Sequence, residues 1–254
     1  MAEPLAEFVR RRDPDRFLTA LFAPAEKRGA LLALYAFNHE LARAREVVSE
    51  PPLALIRLQW WREVVEGAQR RHEVAEPLSA ALAAGALSRA DLLALIDARE
   101  VEADPSIPTL EAWRGYLLGA AGGLSVAAAR LLGAADPEPA RPFGAIYGGA
   151  GVLRSAVMLA RQGRCLLPED VLARHGLSPE HVTASPGSAL ASGVLAALAA
   201  DLRALRPKRV PAPLRRGALA AILPAVLARR DLRRLGTPPG PRGFGDRLAV
   251  LTAA

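Results

Sequence analysis

The fold is decided by one stretch of the chain, residues 25–48, which reads AEKRGALLALYAFNHELARAREVV. Its large apolar residues, Leu34 and Leu41 among them, recur at the spacing of one helix face. Pro24 precedes the stretch and Pro51 follows it, and proline is tolerated at a helix start but not in a helix interior. The pattern therefore predicts one long amphipathic helix over residues 25–48.

Similar patterns continue to the end of the chain. Apolar periodicity, capping residues and Gly/Pro breakers predict further helices. These helices cover residues 15–22, 53–69, 92–101, 110–132, 142–163, 167–175, 190–205, 214–235 and 244–252. Since we find no alternating strand pattern, fixed repeat or long linker, we expect a single all-α domain of roughly ten helices spanning residues 1–254.

Four glycines interrupt the helix predicted over residues 142–163: Gly144, Gly148, Gly149 and Gly151. Each costs a helix about 1 kcal/mol relative to alanine, so their concentration needs a reason. Close packing against another helix is one reason, and the backbone wall of a ligand cleft is the other.

The net charge of +7 is concentrated in the basic C-terminal part, residues 201–254. Residues 201–247 hold 12 Lys/Arg against 3 Asp, a surplus larger than that of the whole chain. Such a surplus favours an anionic partner, although a solvated arginine-rich face would show the same pattern. Aromatic residues are not interleaved with these arginines, so an anionic membrane surface is preferred and no specific nucleic acid is expected.

The sequence does not contain the residues that several other kinds of site require. The single cysteine, Cys165, cannot form a disulfide within the chain, and the four histidines do not have metal-ligand spacing. P-loop and dinucleotide-binding motifs are absent from the sequence. With neither a signal-peptide pattern nor 18 uncharged apolar residues in a row, we expect a cytoplasmic protein, peripheral on the inner membrane, without a transmembrane span.

Three segments together resemble the squalene/phytoene synthase family. They are residues 15–24 (DRFLTALFAP), 56–62 (IRLQWWR) and 162–168 (QGRCLLP), and Tyr116 with the Ala-Gly-Gly at 121–123 fits the segment between them. The resemblance extends over about residues 13–235. It implies a helical barrel or bundle of the isoprenoid-synthase type.

Enzymes of that family hold Mg²⁺ on two facing D-x-x-x-D motifs, and the metal neutralises a prenyl diphosphate leaving group. Counting without gaps from Tyr35-Ala-Phe37 assigns the first pair to Ala42 and Glu46. Counting back from residues 162–168 assigns the second to Ser155 and Leu159, with a third acidic position at Met158. Only Glu46 is a carboxylate. Because the neighbours of these positions include four arginines, residues 43, 45, 154 and 161, we expect the sign of the pocket to be reversed.

One carboxylate is too few for two or three Mg²⁺ ions, so the resemblance implies a non-catalytic member without a cofactor. A branch of the family with eroded motifs, the assembly factors of respiratory complex I, is especially similar over residues 166–178 (LLPEDVLARHGLS). This implies a partner among complex I subunits or assembly intermediates. The alternative is an active Mg²⁺-dependent squalene or phytoene synthase that transfers prenyl diphosphates.

The same comparison gives a candidate anion or lipid pocket. Its expected residues are Tyr35, His39, Arg43, Glu46, Tyr116, Arg154, Arg161 and Arg164. Arginine binds phosphate through two hydrogen bonds, which would suit a prenyl diphosphate or a phospholipid. In the alternative interpretation, Arg154, Arg161 and Arg164 pair with Glu40, Glu46 or Glu63.

Overall fold

The computed structural model describes residues 4–48, 50–190, 193–215, 217–235 and 240–254. Within these ranges the chain forms sixteen α-helices and no extended strand. They are α1 Leu5–Arg12, α2 Pro14–Ala20, α3 Ala25–Glu46, α4 Pro51–Glu66, α5 Ala75–Ala83, α6 Arg89–Arg99, α7 Leu110–Leu117, α8 Gly123–Leu131, α9 Arg141–Arg161, α10 Glu169–Arg174, α11 Pro179–Ala184, α12 Pro186–Leu190, α13 Val194–Ala204, α14 Ala212–Arg215, α15 Pro224–Asp231 and α16 Phe244–Leu251.

The all-α prediction is confirmed, and the number of helices is higher than predicted. Four helices that we did not predict are short and contribute little periodicity: α1, α5, α11 and α12. The helix expected over 214–235 is split into α14 and α15, because Pro224 can begin a helix but cannot continue one. Likewise, α7 and α8 are joined by a π-helical turn, Leu118–Gly122, within the single helix expected there.

The long helix α3 begins immediately after Pro24 and ends at Glu46, close to its predicted bounds. The side chains of Leu34 and Phe37 are completely buried. The two prolines at 51–52 do more than separate two helices, since they occupy the first turn of α4, where the missing N–H groups would have no partner.

Helix α9 packs closely against the π-helical turn. A Cβ atom placed on Gly144 would lie 2.2 Å from the carbonyl oxygen of Ala121, and one on Gly148 would lie 2.4 Å from the Cβ of the same alanine. These two glycines therefore permit close helix packing. A Cβ atom on Gly151 would meet no atom within 4 Å, which places that glycine against open space.

Two hydrophobic clusters make up most of the core. One is built around α3, with Leu31 and Leu41, and the other around α9, with Ile146 and Leu153. Cys165 is buried in the second cluster, where burial raises the pKa of its thiol. A cavity lies where α3 and α9 face each other.

One segment, Glu138–Arg161, is long and apolar enough to cross a membrane, with a mean hydropathy of 1.3. It includes α9, and 61% of its apolar window is buried inside the fold. Burial of this kind accounts for its hydropathy through packing against neighbouring helices.

Candidate functional site

The cavity has a volume of about 280 Å³ and lies between α3, the α7–π turn, α9 and the end of α15. All five positions that the family pattern assigns to the two acidic motifs line it: Ala42 and Glu46 on α3, and Ser155, Met158 and Leu159 on α9. The spacing thus places both motif positions on walls of one cavity. The scaffold of a two-motif site is present in this chain.

The side chains at these positions differ from those of a metal site. Glu46 is the only carboxylate among the five. The Ser155 hydroxyl donates a hydrogen bond to the carbonyl oxygen of Gly151 at 2.7 Å, so it is engaged with its own helix.

Glu102 is the centre of one buried ionic cluster in the cavity wall. Its carboxylate accepts a hydrogen bond from the Tyr116 hydroxyl at 2.7 Å and another from Arg99. Arg164 approaches the second oxygen at 3.5 Å. Burial, together with the adjacent carboxylate, raises the pKa of Tyr116, so its hydroxyl keeps its proton and remains a donor.

Asp13 and Arg16 form a second cluster. The Asp13 carboxylate caps α2 by accepting from the Arg16 backbone N–H at 3.1 Å, and it accepts from the Arg16 guanidinium at 2.8 Å. That guanidinium lies 4.7 Å from the ring centre of Tyr147 and 5.8 Å from that of Tyr35, within range of cation–π attraction. Burial opposes the charge on Arg16, but Asp13 holds its pKa above the ordinary value.

Asp231, at the end of α15, forms the third cluster. It accepts hydrogen bonds from Arg242 at 2.5 and 2.8 Å, and Arg154 lies 3.4 Å away. Arg242 lines an adjoining groove, to which Val157 and Arg161 also contribute. Cavity and groove share three lining residues, Arg154, Met158 and Asp231, so the two spaces adjoin.

The charges around the cavity are balanced. Among the described residues, the lining contains Arg16, Arg99, Arg154 and Arg164 and also Asp13, Glu46, Glu102 and Asp231. The positive charge that the motif positions led us to expect in the pocket is therefore offset by these carboxylates. Three of these carboxylates come from segments outside the acidic motifs, and each faces an arginine.

Five of the eight predicted pocket residues line the cavity, and three do not. The cavity residues are His39, Glu46, Tyr116, Arg154 and Arg164.

Tyr35 is only 2% exposed and lies beneath Arg16, outside the cavity lining. Arg43 extends away from the cavity to Glu40, at 3.1 Å. Arg161 is exposed on the groove, because it follows Val157 by four residues and shares the face of α9 that lines the groove.

Among the described residues, none of Arg154, Arg161 and Arg164 forms an ion pair with the expected glutamates: Arg154 pairs with Asp231 and Arg164 with Glu102. Glu40 pairs instead with Arg43, and Glu63 pairs with Arg70 at 2.8 Å. Most of the other polar residues in the cavity wall were not predicted from the sequence. Asp13, Arg16, Arg99, Glu102, Tyr147 and Asp231 all line the cavity, and only Arg16 belongs to a quoted motif.

His39 has an unusual environment. Its Nε2 atom is buried and has no hydrogen-bond partner among the described residues. The imidazole packs edge-on against Phe8, with 5.7 Å between ring centres. Burial lowers the pKa of His39, so the ring is neutral at pH 7.

A magnesium–diphosphate centre does not fit this set of donors. Mg²⁺ favours about six oxygen ligands and is usually held by carboxylates. Three of the four cavity carboxylates are engaged with arginines, and the described part of the chain contains no group of three or more His, Cys, Asp or Glu residues placed to hold a metal.

The fold is shared with solved structures of a dehydrosqualene synthase and a squalene synthase. A dehydrosqualene synthase in complex with a ligand superposes with a TM-score of 0.72 at 15% identity, covering 98% of this chain and 93% of that one. The squalene synthase HpnC from Alicyclobacillus acidocaldarius gives 0.67 at 19% identity, covering 93% and 94%. At these identities the comparison establishes the fold alone.

The proteins that resemble this chain in sequence are named as assembly factors and not as synthases. NADH dehydrogenase (ubiquinone) complex I, assembly factor 6, from Mus musculus is 30% identical over 182 residues, and the Rattus norvegicus protein is 33% identical over 185. Both alignments cover 68% of this chain and 55% of the relative. The Drosophila melanogaster homolog is 27% identical over 197 residues, 72% of this chain and 59% of its own. The chain thus spans little more than half the length of these relatives.

The pattern that defines squalene/phytoene synthases matches residues 9–252, nearly the whole chain. The match includes both helices that carry the motif positions and the segments that supply the three ionic clusters. The chain therefore belongs to the squalene/phytoene synthase family.

Proposed function

We propose that this protein is a non-catalytic member of its family that acts in the assembly of respiratory complex I. One observation carries the proposal: the two motif positions face one cavity, but only Glu46 remains as a carboxylate there. The other cavity carboxylates are neutralised by arginines, so the site lacks the donors for metal-assisted loss of diphosphate.

The similarity to complex I assembly factor 6 supports the assembly role. It extends over more than two thirds of this chain in the mouse and rat proteins. We accordingly propose a complex I subunit or assembly intermediate as the partner. The proposed location is the inner-membrane surface, where the basic C-terminal part would meet anionic lipid.

For the cavity we propose no cofactor and at most a small ligand group. Its volume of about 280 Å³ lies just below that of ligand pockets, which measure about 300–1,000 Å³. A prenyl diphosphate or a phospholipid headgroup remains the proposed ligand class. Because the arginines already have carboxylate partners, we expect weak binding that does not depend on Mg²⁺.

Calorimetric titration with farnesyl diphosphate, with and without Mg²⁺, separates this proposal from the enzyme alternative. The expected result is the same weak signal or no signal in both titrations, and no product formation above a heat-inactivated control. Tight Mg²⁺-dependent binding, or turnover of farnesyl or geranylgeranyl diphosphate, would establish the synthase activity instead.

The assembly role is tested in a deletion strain of the source organism by native gel electrophoresis of complex I. Loss of the assembled complex and its return with the wild-type gene are expected. A Glu46→Gln variant should restore assembly as well as its control, Glu63→Gln, because no metal chemistry is proposed for Glu46. Normal complex I in the deletion strain would refute the assembly role. A failure confined to Glu46→Gln would refute the non-catalytic part.

A further inference from the structure

The C-terminal helix α16 has one face that the fold does not cover. Phe244, Leu248 and Leu251 follow each other at the spacing of a single helix face, and they are 81%, 45% and 57% exposed. The opposite face carries Asp246 and Val250, which are buried against α15 and its surroundings. An apolar face of this kind on a two-turn helix needs a partner.

Cationic side chains adjoin this face. Arg247 is exposed on α16 itself, next to Leu248. Arg230 and Arg234 both contact the Asp246 carboxylate, at 2.5 and 3.1 Å, and so flank the first turn of the helix. Two arginines sharing one aspartate leave a positive surplus at this end of α16.

The acidic residues of the basic C-terminal part do not offset that surplus. Residues 201–254 contain three of them, all aspartates, and each is engaged with arginine inside the fold. Asp201 pairs with Arg114, Asp231 with Arg242 and Asp246 with Arg230. Further exposed basic residues lie on the same part of the chain: Arg206, Lys208, Arg209, Arg215, Arg229 and Arg233.

The neighbouring groove adds more exposed apolar surface. Asp246 and Arg234 line it together with Val157 and Met158 of α9, which are 37% and 53% exposed. Arg161 lines the same groove. Exposed apolar side chains and arginines therefore lie in the groove beside α16 as well as on the helix itself.

We propose that the exposed face of α16, formed by Phe244, Leu248 and Leu251 with Arg247, docks on a membrane surface that carries anionic lipid. Apolar residues on one side of a short helix beside arginines are typical of helices that lie in the membrane interface. The apolar residues would enter the boundary between headgroups and acyl chains, while the arginines bind the headgroup phosphates. The inference rests on the surface location proposed above and names the element responsible for it.

A second exposed apolar patch offers a matched comparison. Leu53, Leu55 and Ile56 of α4 are 43%, 43% and 64% exposed. This patch has similar apolar character, but it lies outside the basic C-terminal part. If exposure of apolar residues were sufficient for docking, both patches would behave alike.

The test is flotation of the protein with phosphatidylcholine vesicles, with and without phosphatidylglycerol. Wild-type protein should float with the anionic vesicles only, and added salt should reduce the fraction bound. Changing Phe244, Leu248 and Leu251 together to serine should lower the bound fraction about tenfold. The same change at Leu53, Leu55 and Ile56 should leave it unaltered. Arg247→Glu should weaken binding, whereas Arg71→Glu, on the exposed segment between α4 and α5, should not.

The outcomes separate this inference from the assembly role. No flotation of the wild type, equal flotation with neutral vesicles, or loss only in the α4 variant would each overturn it. So would a wild-type dimer in solution that the α16 variant lacks, since the face would then cover a second copy. Loss of flotation in the α16 variant supports the docking face even if the deletion strain assembles complex I normally. Far-ultraviolet circular dichroism and melting curves verify that the variants fold.

Discussion

The guanidinium of Arg242 lies 2.6 Å from the carboxylate of Asp15, a residue 227 positions earlier in the chain. The same guanidinium donates to Asp231 at 2.5 and 2.8 Å. One side chain thus joins α2, α15 and the segment before α16. Burial opposes its charge, but the two carboxylates raise the pKa of Arg242, which therefore stays protonated throughout the accessible pH range.

Replacing this arginine should loosen the C-terminal segment. Arg242→Ala leaves two largely buried carboxylates without their shared partner, and breaking a buried pair costs about 3 kcal/mol of unfolding free energy. Arg242→Lys should recover only part of the loss, because an ammonium group cannot bridge two carboxylates as a planar guanidinium does. Urea denaturation measures both. Arg10→Ala, which removes an exposed pair with Glu7, should cost less than about 1 kcal/mol. An equal loss for Arg10 and Arg242 would contradict this account.

The balance of charge in the cavity predicts how a substitution in its wall will change the affinity for an anion. Glu102→Gln keeps the shape of the side chain but leaves Arg99 and Arg164 facing the cavity without a carboxylate. Inorganic pyrophosphate should then bind more tightly to the variant than to the wild type, with a larger rise in melting temperature. Calorimetry and thermal shift measure the difference, and Glu63→Gln is the control. Equal pyrophosphate binding by variant and wild type would mean that Glu102 does not control the charge of the cavity.

Local pattern predicted α3 and α9 within a few residues, because Pro24 and the apolar spacing specify a helix without help from the rest of the fold. The motif positions on these two helices could then be placed by counting. The pairs of Asp231 with Arg154 and of Glu102 with Arg164 could not, since these residues meet only through tertiary packing. Asp13–Arg16 and Arg99–Glu102 are local pairs three residues apart. Pairs such as Arg164–Glu102, 62 residues apart, leave no trace in periodicity or spacing.

The glycines of α9 predict opposite effects of the same substitution. Gly148→Ala forces a Cβ atom to within 2.4 Å of the Ala121 Cβ, and overpacking of this kind costs about 1–3 kcal/mol. The Cβ atom added in Gly151→Ala meets no atom within 4 Å. The substitution should stabilise the helix by up to about 1 kcal/mol, because alanine loses less backbone entropy on folding than glycine does. Thermal and urea unfolding of the two variants measure the sign of each change in the free energy of unfolding. Two losses of equal size would show that Gly151 also has a packing role.

The lowered pKa of His39 leads us to expect that the stability of the fold depends on pH. Burial lowers its pKa in the folded state, and the nearby arginines, Arg43 and Arg12, act in the same direction, while Glu40 and Asp13 partly oppose them. In the unfolded chain the imidazole titrates near its ordinary value of about 6.5. Below that pH the unfolded state binds more protons than the folded state, so the free energy of unfolding falls as the pH falls, and above pH 7 the effect disappears.

His39→Gln should therefore reduce the loss of stability between pH 7 and acidic pH, measured as the shift in urea midpoint across a pH series. The control is His181→Gln, because that histidine is exposed on α11 and should leave the pH profile unchanged. Glutamine also places an amide near the site of the unpaired Nε2, so the comparison of slopes across pH is more informative than the absolute stability at one pH. A slope in His39→Gln equal to that of the wild type would show that His39 is not the source of the acid sensitivity.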